Sequence, residues 1–113
     1  FHSKFMAPAA EKLAAVIADV EMRRPDVPVI SNVDAEPHGT IESIKDKLIR
    51  QVTSPVRWEQ SVRRMLDDGI EQFYEIGPGR VLAGLMRRID RKVVVKSINS
   101  ADALAKLAGE PAQ

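Results

Sequence analysis

The chain has no cysteine. That one absence removes disulfides, thiolate nucleophiles and sulfur-ligated metal sites together, and it agrees with a reducing compartment, for which the cytoplasm is the default. Long apolar runs are also missing: no stretch approaches the roughly 20 residues needed to span a bilayer, and no basic, apolar, small-residue succession resembles a signal peptide. No membrane association is expected. A surplus of one charge is lacking too, since 17 basic and 16 acidic residues leave a formal charge of +1, without the basic footprint of a nucleic-acid binder. There are no internal repeats and no low-complexity segments.

What remains is enough for a packed core, with 44% apolar residues in a chain of 113. Over residues 5–20, Met6, Ala9, Leu13, Val16, Ile17 and Val20 recur at three- and four-residue steps, which predicts a helix with one apolar face. Pro8 suits its first turn and Ser3 is placed to cap it. The run Val27, Val29 and Ile30, bounded by Pro25 and a polar loop, predicts a brief buried strand. Thr40 can cap a second helix carrying Ile41, Ile44, Leu48, Ile49 and Val52, which ends near Pro55. Trp58, Val62, Met65 and Leu66 mark a third helix that closes at Gly69.

Residues 73–76 favour a strand, a Gly-Pro-Gly turn follows, and helical spacing resumes at Val81, Leu82, Leu85, Met86 and Ile89. "KVVVKSIN" predicts another strand, its consecutive valines typical of a sheet buried on both faces, and Ser100 starts a last helix through Leu107. The tail "GEPAQ" is expected to fray. Alternating strands and helices predict an α/β fold, with parallel strands flanked by helices. Only three strands are legible and the first helix has no strand before it, so the chain resembles the closing portion of a larger α/β domain.

Several residues could carry chemistry. His2 lies in an extended lead-in to a helix, and imidazole is the side chain best suited to take and return a proton near neutral pH, although a lone loop histidine is also commonly structural. His38, among turn residues in "EPHGT", is expected to be solvated. No acidic residue or second histidine has metal-like spacing to either, so no metal is expected. "GPGR" before a helix suggests an anion cradle, but Pro78 removes one donor and the pattern matches no nucleotide fingerprint; a tight strand-to-helix connection is the simpler reading. Arg23 and Arg24, then Arg87, Arg88, Arg91 and Lys92, form basic clusters that suit either solvated faces or an acidic partner. Trp58, at helical spacing, is assigned to a core.

Four ordered segments, "FHSKFMAPAAEKL", "VPVISNVDAEPH", "IRQVTSPVRWEQSV" and "FYEIGPGRVLAGLMRRI", together resemble the C-terminal portion of the malonyl-CoA:acyl carrier protein transacylase family, and more distantly the acyltransferase domains of fatty acid and polyketide synthases. The resemblance covers almost the whole chain. It implies that residues 1–113 are the C-terminal segment of the large subdomain of an α/β-hydrolase-like acyltransferase. The implied activity is transfer of a malonyl group from coenzyme A to the phosphopantetheine thiol of acyl carrier protein in fatty acid biosynthesis, through a serine-bound intermediate. Malonyl-CoA, acyl carrier protein and the remainder of the same enzyme chain are the implied partners, and no cofactor is implied.

Residue by residue, the resemblance makes His2 the general base and acid. It makes the backbone carbonyl of Gln51 the acceptor that orients the imidazole in place of a triad carboxylate. Phe1 shapes the acyl pocket, resembling malonyl-selective members, in which a bulky ring limits room for an α-methyl group. The nucleophile is missing. No Gly-x-Ser-x-Gly elbow occurs, and Ser3, Ser31 and Ser43 do not replace it because none lies on a glycine-flanked strand-to-helix turn. The family's malonate-binding arginine, its oxyanion-hole glutamine and its ferredoxin-like subdomain would likewise lie upstream. The expectation is therefore a segment that begins just before its catalytic base and is inactive alone. Two alternatives stay open: a non-catalytic α/β interaction module, and a polyketide-synthase-type acyltransferase.

Overall fold

The computed structural model describes residues 2–109. The expectations for Phe1 and for most of the frayed tail lie outside the described residues. The chain divides into two compact units, one up to Arg64 and one from Met65 onward.

In the first unit, a 3-10 turn over Lys4–Met6 leads into helix α1 (Ala7–Ala18), with Pro8 in the first turn as its missing N–H permits. Ser3 caps with its backbone, not its side chain: the Ser3 carbonyl accepts from the Met6 N–H at 3.1 Å, and the hydroxyl makes no cap bond. The anticipated apolar face is narrower than its spacing suggested, since Ile17 is buried while Val16 and Val20 are exposed. Helix α2 (Ile41–Gln51) begins where Thr40 Oγ1 accepts from the Ser43 N–H at 3.1 Å, and it packs on α1. Ile44 is its buried residue.

The strand expected at residues 27–30 does not form. Pro25 and Pro28 remove ladder donors, and the segment folds back on its own loop instead of joining a sheet. Ile30 makes an isolated antiparallel bridge with Pro37, the Val29 carbonyl accepts from the His38 N–H at 2.8 Å, and Val27 and Val29 are exposed. What the loop buries instead is Ser31, Val33 and Ala35, with Ala35 in the left-handed region at φ 58°. Helix α3 (Trp58–Asp67) follows, with Ser61 and Val62 buried. It ends as its glycine predicted: Gly69, at φ 89°, donates to the Leu66 carbonyl at 3.0 Å and Ile70 to the Met65 carbonyl at 3.0 Å, the paired bonds of a Schellman cap.

The second unit opens on the end of α3 and continues as a strand-helix-strand-helix arrangement. Strand β1 (Phe73–Ile76) and strand β2 (Val95–Ile98) are parallel, in register from Phe73 opposite Val95 to Ile76 opposite Ile98. Helix α4 (Val81–Ile89) connects them, as a parallel pair requires, and α5 (Ala101–Ala108) follows, its N-terminus capped by Ser100 Oγ accepting from the Ala103 N–H at 3.1 Å. Both helices pack on β2. This is the expected α/β class, with two strands among the described residues where three were anticipated. Burial on both faces does not follow: Ile76 is 80% and Tyr74 46% exposed, because two strands alone leave their outward positions open. No helix among the described residues is long and apolar enough to cross a membrane.

Candidate active site

His2 and Gln51, 49 residues apart in sequence, meet in the first unit. His2 Nδ1 lies 2.9 Å from the Gln51 backbone oxygen. The last four carbonyls of an α-helix have no partner within it, and Gln51 is the final residue of α2, so its oxygen is free to accept from outside. A carbonyl only accepts. Nδ1 must therefore carry the proton in this contact, and in the neutral ring Nε2 then keeps a lone pair and is open to receive one. The imidazole is exposed, and the His2 backbone is held at φ 61°, a left-handed conformation uncommon outside glycine.

Two residues that sequence reasoning missed stand around this pair and at the Gly-Pro-Gly turn. Asn32 Nδ2–H donates to Gln51 Oε1 at 3.1 Å, and the Asn32 carbonyl accepts from the Arg57 N–H at 2.9 Å. The only signal for Asn32 in the sequence was its place in "VPVISNVDAEPH", one of the stretches that carry the family resemblance. Glu75, on β1, is buried, and its two carboxylate oxygens accept from the N–H groups of Leu82 and Ala83 at 2.9 and 3.0 Å. The anion cradle suggested by "GPGR" is thus real as physics but is filled from within: a protein carboxylate occupies the first-turn donors of α4. Gly77 and Gly79, at φ 132° and 80°, supply the turn that returns the chain onto that carboxylate.

His38 is not the solvated residue expected. It is half-buried, and its Nδ1 has no hydrogen-bond partner. Burial, reinforced by the Lys47 charge and opposed by Asp34, holds its imidazole below the ordinary value. Burial pushes the neighbouring Asp34 carboxyl up, but the Lys47 ammonium at 2.8 Å and the Glu36 N–H outweigh it and leave Asp34 below the usual carboxylate value. Trp58 is half-buried rather than a core residue. Arg87, Arg88 and Arg91 line an open depression of about 830 Å³ with Ile89, at the C-terminal end of α4 where the helix dipole favours cations. Among the described residues no group of three or more His, Asp or Glu side chains is placed to hold a metal ion.

No protein-family model matches the chain. Individual proteins do. It is 42% identical over 104 residues to a malonyl CoA-acyl carrier protein transacylase of Bacillus subtilis, covering 92% of this chain and 33% of that protein. The counterpart in Escherichia coli is 41% identical over the same share of this chain and 34% of its own length. The relatives that the chain matches in both species are malonyl CoA-acyl carrier protein transacylases, each matched over about a third of its length. Solved structures of the family superpose on it closely. An acyl carrier protein S-malonyltransferase from Vibrio cholerae matches with a TM-score of 0.86 at 42% identity, covering 94% of this chain and 35% of that one. A malonyl transacylase solved in complex with its type II polyketide acyl-carrier protein matches with a TM-score of 0.87 at 40% identity, covering 93% and 34%. The chain spans about a third of the length of the family members it matches, and the matched part is their C-terminal third.

Proposed function

We propose that this chain is the C-terminal segment of the large subdomain of a malonyl-CoA:acyl carrier protein transacylase and supplies its proton shuttle. The observation that supports this most directly is the 2.9 Å contact between His2 Nδ1 and the Gln51 carbonyl, which leaves Nε2 as a base. A serine hydroxyl from the preceding part of the enzyme gives its proton to Nε2 as its oxygen attacks the malonyl thioester carbonyl. The carbon–sulfur bond breaks, and the imidazolium returns the proton to the departing coenzyme A thiolate. In the second half, Nε2 takes the proton of the phosphopantetheine thiol, the sulfur attacks the malonyl ester, and the serine recovers its proton. No cofactor enters either half.

Gln51 acts in this scheme as the residue that orients the base, and its acceptor is a neutral oxygen, so no fixed negative charge sits beside the ring. Phe1 is assigned to the acyl pocket on the family resemblance alone. The basic depression at Arg87, Arg88 and Arg91 suits the phosphates of coenzyme A or an acidic carrier protein. We assign the enzyme to the cytoplasm, and the lack of cysteine leaves no thiol in this segment to compete with the acceptor. Fatty acid synthesis is the pathway we assign, because the relatives in Bacillus subtilis and Escherichia coli carry the transacylase name without a polyketide qualifier.

Mass spectrometry of the complete enzyme after brief exposure to malonyl-CoA tests the scheme. One malonyl group should appear on a serine and leave when holo acyl carrier protein is added. An enzyme that transfers malonyl without ever carrying it would contradict the two-step scheme.

A further inference from the structure

Asn32 has no part in the proton transfers above, yet its side chain ends on the residue that holds the base. Its amide N–H donates to Gln51 Oε1 over 3.1 Å in a half-buried setting, while the main-chain oxygen of that same Gln51 accepts from His2. Glutamine at the end of a helix is otherwise poorly held, because its side chain has many rotamers and terminal peptide groups fray. The base cannot supply the missing rigidity: His2 is exposed and its backbone sits at φ 61°.

Asn32, by contrast, stands in a heavily cross-braced loop. The Ser31 N–H donates to the Glu36 carbonyl at 2.8 Å, the Ala35 N–H to the Ser31 carbonyl at 3.0 Å, and the Val33 N–H to Ser31 Oγ at 3.3 Å. Arg57 grips the loop twice, through its backbone N–H to the Asn32 carbonyl at 2.9 Å and through Nε to the Val33 carbonyl at 3.0 Å. Lys47, on α2, pairs with Asp34 at 2.8 Å, so the loop is tied to the same helix whose last carbonyl holds the imidazole. Ser31, Val33 and Ala35 around Asn32 are buried.

We propose that Asn32 is a positioning residue for His2: by fixing the Gln51 side chain it fixes the direction of the Gln51 carbonyl, and so the tautomer and tilt of the imidazole. The inference rests on the acyl-transfer reading. Asparagine suits the task because a short amide can donate to Oε1 while its backbone stays in the loop.

The test uses the complete enzyme with Asn32→Ala, Asn32→Asp, Gln51→Ala and the double Asn32→Ala/Gln51→Ala variant. Malonyl transfer to holo acyl carrier protein is measured, and ring-nitrogen NMR of His2 reports which nitrogen carries the proton. Asn32→Ala should lower kcat roughly tenfold, the lower end of the cost of removing the outer partner that orients a metal-ligating histidine, a comparable positioning task. KM for malonyl-CoA should stay within about twofold, and the Nδ1–H signal should give way to a tautomer mixture. Gln51→Ala keeps the main-chain acceptor but loses the tether, so it should show the same loss, and the double variant should be no worse than either single change. Asn32→Asp should recover most of kcat, since the Gln51 amide can turn its NH2 toward a carboxylate.

Full kcat in a folded Asn32→Ala or in Gln51→Ala, additive losses in the double variant, or an unchanged tautomer beside a lower kcat would each overturn the proposal. If Asn32→Ala does not fold, Gln51→Ala decides, because it leaves the loop untouched. A wild-type enzyme without malonyl transfer would instead remove the functional reading, while the tautomer measurement would still decide the role of Asn32.

Discussion

A half-buried histidine with an unpartnered ring nitrogen is a liability in acid, and His38 is that residue. Its folded value lies below the unfolded one, so the unfolded chain binds the proton first as pH falls. The sign follows: His38 costs nothing above about pH 6.5, and stability declines as pH drops from there through the lower folded value. Denaturant melts between pH 5 and 8 should show that decline, and His38→Gln should flatten it; an equal decline in the variant would place the effect elsewhere. Single residues were unevenly legible in the sequence. His2 was a candidate from its imidazole alone, but its pairing with Gln51 was legible only through the family resemblance, because nothing in local spacing relates residues 49 positions apart. Asn32 and Glu75 were missed for the same reason, since each acquires its role from a partner that the fold brings to it. His38 was misjudged because its turn-forming neighbours signal exposure, whereas here the turn is folded back against Val29.

Secondary-structure elements with local stop and start signals were well specified. Thr40 caps α2, Ser100 caps α5, and Gly69 closes α3, each through a bond within a few residues. Thr40→Ala should cost about 1 kcal/mol in a denaturant titration without shifting the His2 signals. Helix α4 uses a different device, a buried carboxylate from the preceding strand in place of a capping residue. Glu75→Ala strips two donors of a charged acceptor at once and should destabilise by roughly 2 kcal/mol. Amide exchange should localise that loss to the first turn of α4, and a uniform loss across the chain would count against the capping role. The failed strand at residues 27–30 has the opposite origin. Its apolar run satisfies a strand pattern, but Pro28 lacks the N–H that a ladder uses, and the segment bridges to its own loop between Ile30 and Pro37.

At the scale of the whole chain, two short parallel strands make a marginal sheet, and exposed Ile76 and Tyr74 show how little of it is covered. The chain also spans only a third of its relatives. Amide exchange at β1 and β2 should therefore be fast in the isolated 113-residue chain and slow in the complete enzyme, whereas equal protection in both would indicate a self-sufficient module. Charge belongs to this scale too. Reversing Arg87, Arg88 and Arg91 to Glu should lower kcat/KM at low salt, with the difference shrinking as salt is added. An α/β class with parallel strands was readable from the alternation of patterns, but strand number was not, because sheet membership depends on chain outside any local window. The most direct test of the central claim is the rate of malonyl transfer to holo acyl carrier protein by the complete enzyme with His2→Ala. Loss of the base should lower kcat by about 10²- to 10⁴-fold with KM for malonyl-CoA little changed, and a variant within about threefold of the parent would contradict it.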